Sequence, residues 1–116
     1  MKITGQVYLL GDIHWNWKRV FHDIEKKDLS GCTIICVGDI GFGFDNCGTQ
    51  EAIVINNRLA QRGITFLSIR GNHDNPIYFD GNIINLPFLT MFPDYTRLDV
   101  NGENWLLIGG AISMDR

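Results

Sequence analysis

Three short apolar runs occupy the first part of the chain, and each is followed by a glycine and polar residues. They cover residues 7–10, 34–37 and 64–69. A short apolar run that is closed by a turn signal is typical of a buried strand. Because polar residues follow each run, the pattern predicts three strands whose carboxyl ends carry the chemistry-bearing side chains.

The segments between these runs have the periodicity of amphipathic helices. The first helix is predicted within residues 15–27 and ends before Ser30-Gly31; the second is predicted over residues 49–62 and stops at Gly63. The predicted buried stripes are Trp17, Val20, Phe21 and Ile24 in the first helix, and Ala52, Ile55 and Leu59 in the second. Alternating strands and helices predict an α/β fold with a βαβαβ unit and a mostly parallel sheet.

The last third of the chain has a different pattern. Residues 96–100 and 104–108 flank Asn101-Gly102, which is a strong signal for a tight β-hairpin. Between the third strand and this hairpin, Asn75-Pro76 predicts an irregular stretch or a short helix plus a strand. The apolar residues predicted to join the core there are Ile83, Ile84, Leu86 and Phe88.

Composition narrows the class of protein. With 116 residues, 45% hydrophobic and 20% charged, the chain is expected to form one soluble globular domain. A net charge of -3 argues against extended binding of a nucleic-acid backbone, so we expect nucleic acid only as a substrate. No apolar stretch reaches the roughly 20 residues of a membrane helix and no signal peptide is evident, which predicts a cytoplasmic protein without a membrane partner.

The three cysteines do not predict a disulfide framework. Cys32, Cys36 and Cys47 are odd in number and lack the spacing of a zinc site. Cys32 and Cys36 share a parity on the second strand, so we expect both to be small buried side chains. Cys47 lies in a glycine-rich loop, where a reactive role is the remote alternative.

Candidate metal ligands follow all three strands. Asp12 and His14 are two residues apart, so on an extended segment both side chains can reach one point. Asp39 follows the second strand, and Asn72 follows the third. Carboxylate, imidazole and amide groups are ligands of divalent cations, and one carboxylate can bridge two ions about 3.5–4 Å apart. Each motif alone would indicate only a polar turn, but their recurrence predicts a dinuclear site with Asp39 as the bridge.

Two further residues are expected to face the substrate. His73 diverges from Asn72 because adjacent residues on a turn point apart, and Asp74 can raise the pKa of its imidazole and orient the ring. A protonated His73 can bind phosphate or give a proton to the leaving oxygen. The simpler alternative for His73-Asp74 is a helix-start cap.

The motifs Gly11-Asp12-x-His14, Gly38-Asp39 and Gly71-Asn72-His73-Asp74, each after a strand, resemble the calcineurin-like metallophosphoesterase superfamily. The run 109–115 also resembles a segment of bacterial and phage-type members. The resemblance implies half of a metallophosphoesterase sandwich and a metal-dependent phosphoester hydrolase, in which two divalent ions (Mn²⁺, with Fe or Zn as alternatives) activate a water.

By position, the resemblance assigns Asp12 and His14 to the first ion, Asp39 to the bridge and Asn72 to the second ion. It assigns leaving-group catalysis to His73 and Asp74, and it places Asn72 and His73 in contact with the phosphoester. Arg70 is a further candidate for phosphate contact, with a salt bridge as the equal alternative. Phosphoproteins, nucleotides, diadenosine polyphosphates and nucleic-acid ends all remain open as substrates.

One departure from the superfamily leaves two functional hypotheses open. The later Gly-His and Gly-x-His motifs, which supply three more imidazoles to the metals, are absent from residues 1–116, and the only other histidine, His22, is expected on a solvated helix face. The first hypothesis is an enzyme of which this chain is the N-terminal portion, a single domain that lacks the C-terminal half. The alternative is a non-catalytic module whose exposed sheet edge binds a partner, as a homodimer or a swapped pair.

Overall fold

A computed structural model describes residues 1–11, 16–38, 49–71, 79, 81 and 84–109. In chain order the elements are β1 (Lys2–Ile3), β2 (Val7–Leu10), α1 (Trp17–Lys26), β3 (Thr33–Cys36), α2 (Thr49–Gln61), β4 (Thr65–Ser68), β5 (Asn85–Leu86), β6 (Leu89–Met91), β7 (Tyr95–Val100) and β8 (Glu103–Ile108). The predicted α/β class with a βαβαβ unit, a mostly parallel sheet and a C-terminal hairpin is confirmed. The first helix lies within the predicted residues 15–27, and the second ends one residue before the predicted residue 62. Strand β2 has its predicted bounds, β3 begins and ends one residue earlier than predicted, and β4 is one residue shorter at each end.

The larger sheet has the strand order β2-β3-β4-β6-β5. Strands β2, β3 and β4 are parallel and in register, so that Leu10 lies beside Cys36 and Cys36 lies beside Ser68 at their carboxyl ends. Strand β6 continues the parallel order beside β4, and β5 is antiparallel to β6. Parallel strands of this kind bring the turns that follow them to one edge of the sheet.

Helix α1 packs on this sheet through the stripe that the sequence predicts. Trp17, Val20, Phe21 and Ile24 are all buried. The side-chain oxygen of Asn16 accepts a hydrogen bond of 3.3 Å from the backbone N–H of Arg19, which caps the helix start. Trp17 is edge-on to Phe66 of β4 with the ring centroids 4.8 Å apart. The helix is therefore anchored over the centre of the sheet by aromatic packing.

Helix α2 also buries its predicted stripe, since Ala52, Ile55 and Leu59 are all in the core. Asn56 of the same helix is buried as well, and its side-chain oxygen accepts a hydrogen bond of 2.7 Å from the backbone N–H of Phe88. This bond joins α2 to the turn between β5 and β6. A buried amide on a core-facing helix is retained because it satisfies a backbone donor.

The stretch before the hairpin forms strands where its residues are described. Ile84 is fully buried, and Leu86 and Phe88 pack partly buried against the helix-side core. The prediction that these three join the core is confirmed, whereas Ile83 lies outside the described residues. The short strands β5 and β6 correspond to the strand part of the predicted irregular region.

The hairpin forms a second sheet with the N-terminus, in the order β1-β7-β8. Asn101 and Gly102 have φ values of 52° and 87°, as a two-residue turn with left-handed central residues requires. The Asn101 side chain also accepts a hydrogen bond from Gly5 N and donates one to Gly5 O, at 2.9 and 3.0 Å. Strand β1 was not predicted, because two residues are too few to show periodicity.

The second sheet packs against one face of the larger sheet, and the two helices cover the other face. Ile35 and Leu67 of the larger sheet pack against Leu98, Val100 and Leu107 of the hairpin. The side chains of Cys32 and Cys36 are buried on the helix side, which confirms their predicted packing role. In the described part of the chain, neither helix is long and apolar enough to cross a membrane.

Candidate functional site

Most of the predicted site residues lie outside the described part of the structure. They are Asp12, His14, Asp39, Asn72, His73 and Asp74, and Cys47 is also outside. Their roles as ligands, catalytic groups and substrate contacts stay predictions. What the structure does describe is the backbone that leads into each of the three turns, together with Arg70.

The chain leaves the three parallel strands β2, β3 and β4 at the same level of the sheet. The backbone N–H of Val37 donates to the carbonyl of Leu10 at 2.9 Å, and that of Ile69 donates to the carbonyl of Cys36 at 3.2 Å. These bonds extend the pairing one residue beyond each strand. The turns after β2, β3 and β4 therefore begin side by side, with the turn after β3 in the middle.

Gly38 and Gly71 lie against each other at this edge. Gly38 has a φ of 126°, and a Cβ atom on it would lie 3.2 Å from the Cα atom of Gly71 and 3.4 Å from its backbone nitrogen. Backbone atoms yield less readily than a flexible side chain, and this φ is rare for residues other than glycine, so a substitution at position 38 would strain the backbone. The residues just before Asp39 and Asn72 are thus in close backbone contact.

The first turn begins beside the second. A Cβ atom on Gly11 would lie 3.5 Å from a methyl group of Val37, which is ordinary van der Waals contact. Gly11 precedes Asp12, and Val37 lies two residues before Asp39. All three motifs therefore start from neighbouring points on one edge, as predicted from the parallel order of the strands.

Arg70 makes a two-point salt bridge directly before the third motif. Its Nε and Nη2 atoms donate to the two carboxylate oxygens of Asp94 at 2.7 and 2.8 Å. Both side chains are partly shielded, with 25% and 36% of their surfaces exposed. The salt bridge, which was one of the two alternatives for Arg70, is observed, and its contact with phosphate stays a prediction.

Asp94 also fixes the end of the hairpin. Its backbone oxygen accepts a hydrogen bond of 2.6 Å from Gly109 N, and a Cβ atom on Gly109 would lie 3.1 Å from the Asp94 carboxylate. Asp94 thus joins the end of β8 to the backbone before Asn72. Sequence reasoning missed this residue because its partner is 24 positions away and no local motif marks it.

Among the residues that the structure describes, the titratable groups near the helix layer do not form a second candidate metal site. Burial raises the pKa of the Cys32 thiol, which keeps it protonated at neutral pH. His22 is exposed on α1, as predicted. Within the described ranges, no three His, Cys, Asp or Glu side chains are grouped closely enough to hold a metal ion.

Comparison with known proteins assigns the chain to a family. Neither the curated proteins nor the solved structures gave a match. The sequence model of the calcineurin-like phosphoesterases matches residues 5–115, which include all three turn motifs. Members of this family are hydrolases that act on phosphoesters and generally use divalent metal ions. With that match over nearly its whole length and with three motif-bearing turns that begin at one sheet edge, the chain belongs to the calcineurin-like phosphoesterase family.

Proposed function

We propose that the protein is a metal-dependent phosphatase that hydrolyses phosphoester bonds at the carboxyl edge of the larger sheet. Two divalent cations, with Mn²⁺ as the expected species and Fe or Zn as alternatives, would be held by residues of the three turns. The observation that carries the proposal is the contact between Gly38 and Gly71, because it brings the backbone before Asp39 next to the backbone before Asn72. We place the protein in the cytoplasm.

The donor set fits such ions chemically. Asp12 and His14 would supply a carboxylate and an imidazole to the first ion, Asp39 would serve both ions, and Asn72 would supply an amide oxygen to the second. Oxygen and imidazole donors suit Mn²⁺, Fe and Zn, whereas a set rich in thiolates would favour zinc or copper. When bound, the ions polarise the phosphoester and lower the pKa of water, so that a nucleophile forms at neutral pH.

The protein's own groups account for the proton that the reaction needs. His73 donates its imidazolium proton to the leaving alkoxide or aryloxide oxygen, and Asp74 keeps that imidazole charged and oriented. Asn72 and His73 also contact the phosphoester. The Arg70–Asp94 salt bridge holds the backbone immediately before Asn72, so it fixes the position from which this turn starts.

Hydrolysis of p-nitrophenyl phosphate tests the proposal. We expect turnover that requires added Mn²⁺, stops with a chelator and falls at least about 100-fold in Asp39→Asn, since the bridging carboxylate serves both ions. The matched control is Glu103→Gln, which removes the same charge from an exposed residue at the opposite end of β8 from Gly109 and should keep full activity.

Two results would contradict the proposal. One is turnover that persists in the chelator or in Asp39→Asn. The other is a chain that binds Mn²⁺ by calorimetry and yet hydrolyses no phosphoester at any pH between about 5 and 9, where histidine changes charge. The second result would favour the non-catalytic module over the enzyme.

A further inference from the structure

The turn of the C-terminal hairpin holds the only Asn-Gly pair in the sequence. Asn101 and Gly102 are both exposed, with φ values of 52° and 87°. An asparagine before glycine is prone to lose its side-chain amide, because glycine has no side chain that would hinder its backbone nitrogen from attacking the asparagine side chain. Asn101 is therefore a candidate for covalent modification by deamidation.

The side chain of Asn101 is held by the chain that follows β1. Its Oδ1 atom accepts a hydrogen bond of 2.9 Å from the backbone N–H of Gly5, and its Nδ2 atom donates one of 3.0 Å to the Gly5 carbonyl. The backbone N–H of Asn101 also donates to the carbonyl of Ile3 at 2.8 Å. Asn101 thus attaches the N-terminal strand to the hairpin through its side chain and its backbone.

The backbone nitrogen that would attack Asn101 has a partner of its own. The N–H of Gly102 donates a hydrogen bond of 2.9 Å to Oδ1 of Asp99. Ring closure requires this nitrogen to lose its proton and to meet the Cγ atom of Asn101, which carries the two atoms that bind Gly5. In the folded turn the two reacting groups are directed at different partners, so these three hydrogen bonds must open before the groups can meet.

We propose that Asn101 is a site of spontaneous deamidation, that its native contacts slow the reaction, and that the reaction weakens the attachment of β1 to the hairpin. The Gly102 nitrogen gives up its proton and forms a bond to Cγ of Asn101. The bond from Cγ to Nδ2 breaks, and the side-chain nitrogen takes up a proton and leaves as ammonia. Water then opens the resulting succinimide ring at one of its two carbonyls, which leaves aspartate or isoaspartate at position 101.

Both products change the contact with Gly5. Aspartate places a charged oxygen where Nδ2 donated, so an acceptor instead of a donor faces the Gly5 carbonyl. Isoaspartate also adds a methylene group to the backbone of a two-residue turn, whose geometry sets the pairing of both strands. Strand β1 has only two residues, so the contact of Asn101 with Gly5 is a large part of its attachment. The modification should loosen β1 and leave the larger sheet unchanged.

The first experiment compares the rate of deamidation at Asn101 in the folded chain with that in the same chain unfolded in guanidinium chloride. Both are kept at one pH and temperature, and proteolytic peptides are followed by mass spectrometry. Because three hydrogen bonds must open, we expect the folded chain to react about 10- to 1,000-fold more slowly. This comparison needs no substitution, so it holds whether or not any variant folds.

A pair of variants tests the contribution of Asp99. Asp99→Ala removes the acceptor of the Gly102 N–H, so the folded variant should deamidate about 2- to 10-fold faster than the unchanged protein. The control is Glu103→Ala, which removes an exposed carboxylate beside the same turn and keeps the bond from Gly102 to Asp99. Its rate should equal that of the unchanged protein. In guanidinium chloride all three chains should react alike.

The second experiment measures amide hydrogen exchange in Asn101→Asp, which has the same side chain as the aspartate product. The N–H of Asp99 donates to the carbonyl of Met1 and so reports on the attachment of β1. We expect this amide to exchange about 2- to 10-fold faster than in the unchanged protein, whereas the amides of β4 should not change. Adding Glu103→Gln to this variant restores the net charge of the turn, and the faster exchange should persist because the donor is still missing.

Four results would each overturn the proposal. Two of them are equal rates of deamidation in the folded and unfolded chains, and equal rates in folded Asp99→Ala and Glu103→Ala. The third is the absence of deamidation at Asn101 in the unfolded chain, and the fourth is unchanged exchange of the Asp99 amide in Asn101→Asp. None of these measurements involves phosphoester hydrolysis, so this proposal and the proposed phosphatase activity can fail separately.

Discussion

Gly38 shows how one residue constrains the candidate site. Its φ of 126° lies in a region that side-chain-bearing residues rarely adopt, and a Cβ atom would lie only 3.2 Å from the backbone of Gly71. A substitution is therefore opposed first by backbone strain and second by the close contact with Gly71. Gly5 shares only the first of them, because its φ is 95° and nothing lies within 4 Å of its missing Cβ atom.

We expect Gly38→Ala to lower the free energy of unfolding by about 2–5 kcal/mol, from backbone strain plus overpacking. Gly5→Ala should cost only the strain, about 1–3 kcal/mol. Chemical denaturation of both variants measures the difference. Equal losses would show that the contact with Gly71 contributes nothing to stability.

Two salt bridges of the described residues differ in what they can contribute. Arg62 approaches Asp28 at 3.4 Å through one contact, and the Asp28 side chain is 94% exposed, so solvent screens the pair. Arg70 and Asp94 make two short, parallel bonds with both side chains partly shielded. A salt bridge with two short, parallel bonds can hold backbone segments in place. The Arg70–Asp94 salt bridge is of this kind, and it lies beside the candidate site.

Among the secondary-structure elements, α2 has a role beyond covering the sheet. Its buried Asn56 accepts the backbone N–H of Phe88, so the helix positions the turn between β5 and β6. Apolar contacts alone would allow that turn to slide, because they have no fixed direction. A hydrogen bond to a specific backbone donor gives the turn one position.

Asn56→Ala should therefore destabilise the protein by about 1–3 kcal/mol, since the N–H of Phe88 loses its partner in a partly buried position. The control is Gln61→Ala on the same helix, where the amide side chain is exposed and the change should stay within about 0.5 kcal/mol. Urea unfolding followed by circular dichroism compares them. If the two variants lose equal stability, the bond to Phe88 is not what matters at position 56.

For the whole molecule, the proposed metal site couples ion binding to folding. In the proposed site, donors from distant parts of the chain would come together only when the sheet has formed, so ions should bind the folded state in preference to the unfolded chain. Metal binding then raises the stability of the entire fold. This consequence can be measured without any substrate.

At a Mn²⁺ concentration 100 times the Kd, we expect unfolding to require about 2.7 kcal/mol more free energy than in the presence of a chelator. The effect should disappear in Asp39→Asn and persist in Glu103→Gln. Thermal or urea unfolding with and without Mn²⁺ gives the values. A stability that is indifferent to Mn²⁺ in the unchanged protein would argue against cation binding by the three turns.

The sequence alone determined the α/β class, both helices with their buried stripes, the strands β2, β3 and β4, the hairpin and the family resemblance. These features were predictable because helical spacing, short apolar runs and Asn-Gly turns are local patterns, fixed by residues close together in the chain.

Only the tertiary structure decided the pairing of β1 with the hairpin, the contact of Gly38 with Gly71 and the choice of Asp94 as partner of Arg70. Each joins residues that are far apart along the chain. Such contacts depend on how the elements pack in space, and no local pattern records that packing.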